Sequence, residues 1–395
     1  MRLLQEGYHP MERLSTIGDR NSRHFGLASW KPHIEENGKM GREQEISPQQ
    51  IRLHILEMAK RANVGHIGSA LSIADIIAAL YGNVLRVVHP DASNRDRLVL
   101  SKGHAAMALY AALYLKGWLT KETLDTYCQN PSSAWITSAI EIPVASGQCP
   151  VTSKDSVSTD HWQQATGHCL GVHAEHSIPG VDFSTGSLGH GLSIGAGAAL
   201  AARLDGSSRR VFVLLSDAEC NEGSIWEAVM FAAHHRLSNL VAIVDLNGQQ
   251  AFGYTDDVLS LSPMWAKWEA FGWNVHEVDG HNVTEITKTI EILDSASSQT
   301  SPDGKSSCCP HVLIAHTTFG KGVPYMENQI KWHYLPMSDD EYRQAVEAVE
   351  SGEEKQEDFD ITHDLPLITD DRDHSINHSS DNLYRHQTTQ RQFGD

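Results

Sequence analysis

The chain has 395 residues, enough for one large α/β domain or two smaller ones with a sizeable buried core. Its formal net charge of −19 disfavours non-specific nucleic-acid binding, because phosphate backbones attract clustered Lys and Arg. No stretch reaches the ~20 successive apolar residues of a membrane-spanning helix, and the first residues lack the apolar core of a secretory signal. We therefore expect a cytoplasmic protein that binds neither nucleic acid nor membrane, and we interpret its six cysteines as reduced thiols.

The first part of the chain is predicted to be mainly helical. Residues 1–47 are polar and aperiodic, and we interpret them as a loosely ordered N-terminal arm. The stretch SPQQIRLHILEMAKRA then begins with a Ser-Pro start signal and repeats apolar residues at helical spacing. NVGHIGS forms a glycine-bracketed turn around His66. LVLSKGHAAMALYAALYLKG indicates a short strand, a turn at Gly103-His104 and another helix.

The middle of the chain contains an irregular segment and then a glycine-rich one. Residues 130–168 are rich in Ser, Thr and Gln and lack periodicity, so we predict a surface insertion there. FSTGSLGHGLSIGAGAALAARL places Gly186 and Gly189 before an alanine-rich helix, which leaves backbone N–H groups open to a ligand. VLIAHTTFGK indicates one more strand and loop. The acidic residues 351–395 are predicted to be a disordered tail, which leaves a single main domain over 48–350.

Two apolar runs each stop at polar side chains. VFVLL is followed by Ser216-Asp217, and the run in NLVAIVDLN stops at Asp245 and Asn247. Between them, EGSIWEAVMFAAHHRL has an apolar helical face, so we predict a strand–helix–strand unit with parallel strands. Asp217 and Asn247 then lie at the carboxyl ends of the strands, which is where open α/β sheets bind ligands.

A carboxylate and an amide oxygen, without His or Cys, suit a hard cation such as Mg²⁺. This ion takes few protein ligands and completes its octahedron with water and ligand phosphates. A diphosphate bound through Mg²⁺ is therefore one interpretation of Asp217 and Asn247. The other is that each residue is a helix cap or a turn former, which is the commoner role of either one alone. GxxxxGK[ST] does not occur in the sequence, which argues against a P-loop nucleotide site.

Several motifs, in order along the chain, resemble transketolase. Asp217, the EG that begins at Glu222, and Asn247 resemble the thiamine-diphosphate motif that this family writes as GDG, EG and N. The stretches KRANVGHIGSALSIADIIAALY, RDRLVLSKGHAAMALYAAL, PGVDFSTGSLGHGLSIGAGAALAARL and EAVMFAAHHRLSNLVAIVDLNGQQ are similar to the same family, as are AFGWNVHEVDGH, GKGV and the WH of His333. The likeness covers roughly residues 48–345. It implies an α/β fold with a mostly parallel sheet and helices on both faces, the fold of the thiamine-diphosphate-binding PP domain.

The resemblance covers the diphosphate-binding domain of a transketolase but not its pyrimidine-binding and C-terminal domains. It therefore implies the N-terminal subunit of a split transketolase, with thiamine diphosphate and Mg²⁺ as cofactors. Such a subunit would transfer a two-carbon ketol unit between sugar phosphates together with a separate C-terminal subunit, in an α₂β₂ assembly. Two alternatives are a non-catalytic thiamine-diphosphate-binding protein and a component of another thiamine-diphosphate enzyme. SKGHA and STGSLGHGLS favour transketolase over the second alternative.

The resemblance also implies roles for four histidines. His66, His104, His173 and His333 would be catalytic, with His104 near the diphosphate and His66 and His173 facing the ketose hydroxyls. Two of them lie in altered motifs: His173 is in VHAE where the family has GHPE, and His333 is followed by Tyr-Leu where it has Gly-Lys. The implied cofactor contacts are His104, Gly186, Ser187, Leu188, Ala218, Glu222 and Asn247.

The implied metal ligands are Asp217, the Asn247 side chain and the backbone carbonyl of Gln249. We expect Asp217 to be exposed and to contribute little to the core. The GDG of the family is here Ser216-Asp217-Ala218, so both flanking glycines carry a β-carbon. We expect these β-carbons to crowd the diphosphate.

Overall fold

The computed structural model describes four ranges of the chain, residues 46–87, 89–129, 170–297 and 309–352. The predicted arm (1–47), insertion (130–168) and tail (351–395) lie wholly or almost wholly outside the described residues, so their boundaries stay predictions. No helix within the described ranges is both long enough and apolar enough to cross a membrane.

The strands, in chain order, are β1 (Arg97–Leu100), β2 (Val211–Ser216), β3 (Leu240–Leu246), β4 (Gln249–Gln250), β5 (Gly253–Tyr254), β6 (Asn274–Asp279) and β7 (His311–His316). Five of them form one parallel sheet in the spatial order β1-β2-β3-β7-β6. β4 and β5 form a separate antiparallel hairpin directly after β3. The predicted strand–helix–strand unit is present, because β2 and β3 are parallel neighbours.

Helix α1 begins where the sequence predicts. The Ser47 side chain accepts a hydrogen bond from the Gln50 N–H at 3.2 Å, and Pro48 occupies the first turn, where a missing N–H costs nothing. The helices in chain order are α1 (Pro48–Ala62), α2 (Ile67–Ser72), α3 (Ala74–Ala79), α4 (Ala106–Leu115), α5 (Lys121–Asp125), α6 (Gly191–Leu204), α7 (Gly223–His234), α8 (Thr255–Leu259), α9 (Met264–Ala270), α10 (Val283–Ser297), α11 (Lys331–Tyr334) and α12 (Asp339–Ser351).

Helices cover both faces of the sheet. Successive side chains of a strand point to opposite faces, so each strand contributes to two buried clusters. Phe212 and Leu214 of β2 pack with α1, α3, α4, α10 and α12 in one buried cluster. Val211, Val213 and Leu215 pack with α6, α7 and α9 in the other. A strand buried on both faces needs apolar residues at every position, which explains the unbroken run VFVLL. The predicted fold class, a mostly parallel α/β sheet with helices on both faces, is confirmed.

Candidate functional site

The carboxyl ends of β2 and β3 bring Asp217 and Asn247 to one edge of the sheet. Ser216, the last residue of β2, is paired in register with Asp245 of β3. Just beyond the strands, the Gly248 backbone N–H donates to Asp217 Oδ2 at 2.8 Å, and the Asp217 N–H donates to the Asp245 carbonyl at 3.2 Å. The two predicted ligands therefore belong to one hydrogen-bonded structure.

The expectation that Asp217 is exposed is wrong, since the residue is only 3% exposed. Besides Gly248, the Ala218 backbone N–H donates to its carboxylate, to Oδ1 at 2.8 Å. Burial, and then the nearby Asp245 carboxylate, raise the pKa of Asp217 to about 7. A bound cation would favour the ionised carboxylate and so offset both effects. Asp217 therefore fits a cation site.

Asn247 and Gln249 add amide oxygens at the same edge. Asn247 Nδ2 donates to Asp245 Oδ2 at 2.8 Å, which turns Asn247 Oδ1 the other way, where it accepts the Gln249 N–H at 3.0 Å. The buried side-chain Oε1 of Gln249 has no hydrogen-bond partner. One carboxylate with neutral oxygens is a donor set that suits Mg²⁺. Among the described residues, no group of three or more His, Cys, Asp or Glu side chains could hold a metal.

The four histidines form one continuous row. The ring centroids are 4.5 Å apart for His173 and His104, 4.8 Å for His104 and His66, and 5.1 Å for His66 and His333. The row begins in the segment after residue 170, crosses the turns after β1 and before α2, and ends in α11. Residues far apart in sequence therefore meet in one place.

Burial determines the protonation of this row. Loss of solvent lowers the pKa of His66 to about 4, of His104 to about 3 and of His333 to about 4, and it also lowers the pKa of His173. Neighbouring histidines are the next cause at His66, His104 and His333. All four rings are thus neutral at pH 7, each with one N–H and one lone pair.

Three ring nitrogens of the row are buried and have no hydrogen-bond partner within the described ranges. They are Nδ1 of His66, Nδ1 of His333 and Nε2 of His173, and the Thr185 hydroxyl shares this property. Buried polar atoms in folded proteins are normally paired. Several unpaired nitrogens in one row therefore fit a polar ligand bound between the histidines and the glycine-rich loop.

The glycine-rich loop lies directly against the histidine row. At Gly186 φ is +141°, and a β-carbon there would lie 2.7 Å from the His173 ring. The Gly189 N–H donates to Glu219 Oε1 at 2.9 Å, which fixes the loop to the turn after β2. Ser187 and Leu188, by contrast, are exposed. The loop thus has a fixed side toward the histidines and an open side.

One departure from the GDG motif, Ser216, has a structural role. The Ser216 Oγ accepts the Glu219 N–H at 3.1 Å, so the hydroxyl caps the turn that follows β2. Ala218 is half-buried, and its N–H is already used by Asp217. Glu222 is exposed and directly precedes α7, the helix start at which the sequence places it.

The altered sequence after His333 also has a contact that explains it. The Tyr334 hydroxyl donates to the Ala251 carbonyl, which connects α11 to the β4–β5 hairpin. A glycine at this position could not make that contact.

Three buried charged residues at this edge had no predicted role in the site. They are Lys102, Glu219 and Asp245. Lys102 Nζ contacts Asp245 Oδ2, which is the same oxygen that accepts from Asn247. Each lies two positions from a predicted site residue. A charged side chain at that spacing is the sequence signal that could have identified them.

Residues 43–134 and 158–390 match the family described as "Transketolase, thiamine diphosphate binding domain". The chain belongs to the transketolase family. It is 36% identical over 315 residues to a subunit of the apulose-4-phosphate transketolase of Phocaeicola vulgatus, an alignment that covers 79% of this chain and 96% of the relative. It is 35% identical over 315 residues to 6-deoxy-6-sulfo-D-fructose transketolase subunit SqwG of a Clostridium species, with 78% and 98% covered.

Solved transketolases are matched over a smaller share of their length. The crystal structure of transketolase from Campylobacter jejuni gives a TM-score of 0.61 at 28% identity and covers 78% of this chain. The chain spans only 42% of that transketolase, yet the two relatives named as transketolase subunits are covered over nearly their whole length. The predicted family and the interpretation as the N-terminal part of a split transketolase are confirmed.

Proposed function

We propose that the chain is the cofactor-binding half of a two-chain transketolase. A separate C-terminal subunit would supply the pyrimidine-binding domain, and the pair would transfer a two-carbon ketol unit between sugar phosphates. The observation that carries this proposal is that Asp217, Asn247 and His104 all follow the carboxyl ends of neighbouring strands, and that His104 belongs to a row of four half-buried, neutral histidines.

Thiamine diphosphate with Mg²⁺ fits the donor set at this edge. Asp217, the Asn247 side chain and the backbone carbonyl of Gln249 would hold the cation, and His104 would lie near the diphosphate. Cofactor contacts along the glycine loop and the turn after β2 would come from Gly186, Ser187, Leu188, Ala218 and Glu222. When bound, thiamine diphosphate supplies the stabilisation of carbanion character that ketol transfer requires.

The histidines would bind the sugar and handle protons. His66 and His173 would meet the ketose hydroxyls through their unpaired Nδ1 and Nε2, respectively. A neutral imidazole can accept a proton at one nitrogen and later return it, which is the behaviour expected of a general base and acid. An anionic diphosphate beside His104 would raise the pKa of that ring from its low value, because an opposite charge favours the protonated form.

The names of the relatives indicate a substrate class. They specify apulose 4-phosphate and 6-deoxy-6-sulfo-D-fructose. We therefore infer that the substrate is a sugar that carries a phosphate or sulfo group. We further infer a cytoplasmic α₂β₂ assembly; the free thiols of Cys128, Cys220 and Cys309 are consistent with a reducing compartment.

The proposal is tested first by calorimetric titration of the chain with thiamine diphosphate in the presence and absence of Mg²⁺. Heat that depends on Mg²⁺ is expected. Turnover of xylulose 5-phosphate is then measured with a C-terminal subunit that carries a pyrimidine-binding domain. Binding without any turnover in the two-chain mixture would favour a non-catalytic protein, and no binding at all would contradict the cofactor assignment.

A further inference from the structure

A buried ion pair lies at the edge of the sheet where the metal and diphosphate are proposed to bind. Lys102 is 3% exposed and Asp245 is fully buried, and Lys102 Nζ contacts Asp245 Oδ2. Lys102 Nζ also donates to the Ser69 carbonyl at 3.2 Å. Lys102 follows β1 and Asp245 belongs to β3, so the pair crosses the end of β2, the strand that leads to Asp217.

Asp245 connects this ammonium to Asn247, a proposed metal ligand. Its Oδ2 accepts from Asn247 Nδ2 at 2.8 Å and from the Ser72 hydroxyl at 2.9 Å, while its Oδ1 accepts from the Thr317 hydroxyl. Each of these hydrogen-bond partners donates to the carboxylate. The Asn247 amide can only place its NH₂ group toward Asp245, and its oxygen must face the other way.

The ammonium also balances charge. Asp217 and Asp245 are two buried carboxylates at the same edge of the sheet, and the buried Lys102 ammonium contacts the second of them. Without Lys102, the buried Asp245 carboxylate would have no ionic partner among the described residues, which is a costly arrangement.

We propose that Lys102 is a positioning residue for the metal site: it holds Asp245, and Asp245 holds the Asn247 amide so that Oδ1 is presented to the cation. This inference rests on the proposed function, because it assigns a role toward Mg²⁺. Groups that orient metal ligands in this way typically change metal affinity by about 10- to 100-fold when removed.

The test uses the full chain with saturating thiamine diphosphate and Mn²⁺ as the probe, with free Mn²⁺ measured by electron paramagnetic resonance. Lys102→Met should weaken Mn²⁺ binding by at least about 10-fold. The matched control is Arg210→Met. Arg210 is 8% exposed and forms a buried ion pair with Asp96 at the opposite end of β1 and β2. Arg210→Met should lower the melting temperature but leave Mn²⁺ affinity within about twofold of wild type, because Arg210 does not act through Asn247.

A second variant keeps the test decisive if Lys102→Met does not fold. Lys102→Met combined with Asp245→Asn removes both charges of the ion pair, yet the new amide can present either an oxygen or an NH₂ group to Asn247. We expect this double variant to fold and to bind Mn²⁺ at least about 10-fold more weakly than wild type. Wild-type Mn²⁺ affinity in either folded variant would overturn the proposed role of Lys102 and leave the proposed function intact. If instead the wild-type chain bound no Mn²⁺ in a thiamine-diphosphate-dependent manner, both the proposed function and this role would be overturned.

Discussion

The backbone N–H of His66 donates to the carbonyl oxygen of His333 at 3.1 Å. This bond joins the start of α2 to α11, and the two imidazole rings lie 5.1 Å apart beside it. One end of the histidine row is therefore positioned by the backbone itself. The spacing of those two rings depends on how closely the two segments approach.

Gly65 permits that approach, and its replacement should disturb the row. A β-carbon at Gly65 would lie 2.5 Å from the Tyr334 carbonyl oxygen, a backbone atom that cannot rotate away. We expect Gly65→Ala to displace α11 and His333, to destabilise the fold by about 1–3 kcal/mol and to weaken binding of thiamine diphosphate. Thermal melting and calorimetric titration measure the two effects.

The control for that substitution is Gly197→Ala. Gly197 lies inside α6, and a β-carbon there would have no neighbour within 4 Å. This change should stabilise the helix by up to about 1 kcal/mol without altering cofactor affinity. If Gly65→Ala behaved like Gly197→Ala, the close approach would have no functional consequence.

Asp217→Asn tests the metal assignment. The carboxylate accepts two backbone N–H bonds, and an amide can accept only one of them, so a stability loss of about 1–3 kcal/mol is expected. The wild-type chain should melt at a higher temperature when Mg²⁺ and thiamine diphosphate are added together, by mass action. The variant should lose that rise. A full Mg²⁺-dependent rise in Asp217→Asn would rule out Asp217 as a ligand.

The described residues that flank the predicted insertion lie side by side in the structure. The Cys128 N–H donates to the Leu170 carbonyl at 2.8 Å, and the Leu170 N–H donates to the Thr126 hydroxyl at 3.1 Å. A short linker in place of residues 132–166 can therefore close the chain without strain. We expect this variant to remain soluble and to melt cooperatively near the wild-type temperature. Aggregation, or loss of a cooperative transition, would show that these residues are part of the fold.

Acid should destabilise the protein through His311. Burial lowers the pKa of His311 to about 4, with neighbouring His276 as the second cause, and no described residue forms a hydrogen bond with either His311 nitrogen. Because the unfolded chain takes up the proton near pH 6.5 and the native state only near pH 4, stability is complete above pH 6.5. It is lost as the pH falls from 6.5 to 4, by at most about 3 kcal/mol for this residue.

Urea unfolding at pH 7 and pH 4.5 measures this loss in wild type and in His311→Leu. The variant should show a smaller difference between the two pH values. The four histidines of the site contribute in the same direction and remain in both proteins, so they do not obscure the comparison. An identical pH dependence in the two proteins would show that His311 does not contribute.

Local patterns predicted much of this architecture. The Ser-Pro start of α1, the strand that leads to Gly103-His104 and the parallel pair on either side of α7 all depend on residues close together in sequence. Their capping and burial requirements are therefore readable from short stretches. The β6 strand was missed, since NVHEVD is only partly buried and lacks a long apolar run.

The interior of the site was less predictable. Lys102 and Asp245 meet only because β1, β2 and β3 lie side by side, and no local pattern contains that contact. The burial of Asp217 has the same origin, because the Gly248 N–H that covers it comes from the next strand's loop. The motifs identified the residue types, whereas distances and charge balance depend on tertiary structure.

This chain is proposed to hold half of an active site. In the transketolase family the glutamate that contacts the cofactor's pyrimidine nitrogen belongs to the pyrimidine-binding domain, and the resemblance of this chain does not extend to that domain. The isolated chain should therefore bind thiamine diphosphate weakly and transfer no ketol group.

Turnover of xylulose 5-phosphate by the purified chain, alone and mixed with a C-terminal subunit, tests this claim most directly. Both samples contain thiamine diphosphate, Mg²⁺ and an aldose phosphate acceptor. We expect no ketol transfer by the chain alone and transfer in the mixture, with a rate that saturates as the second subunit is added. Full turnover by the chain alone would show that no second subunit is needed to complete the active site.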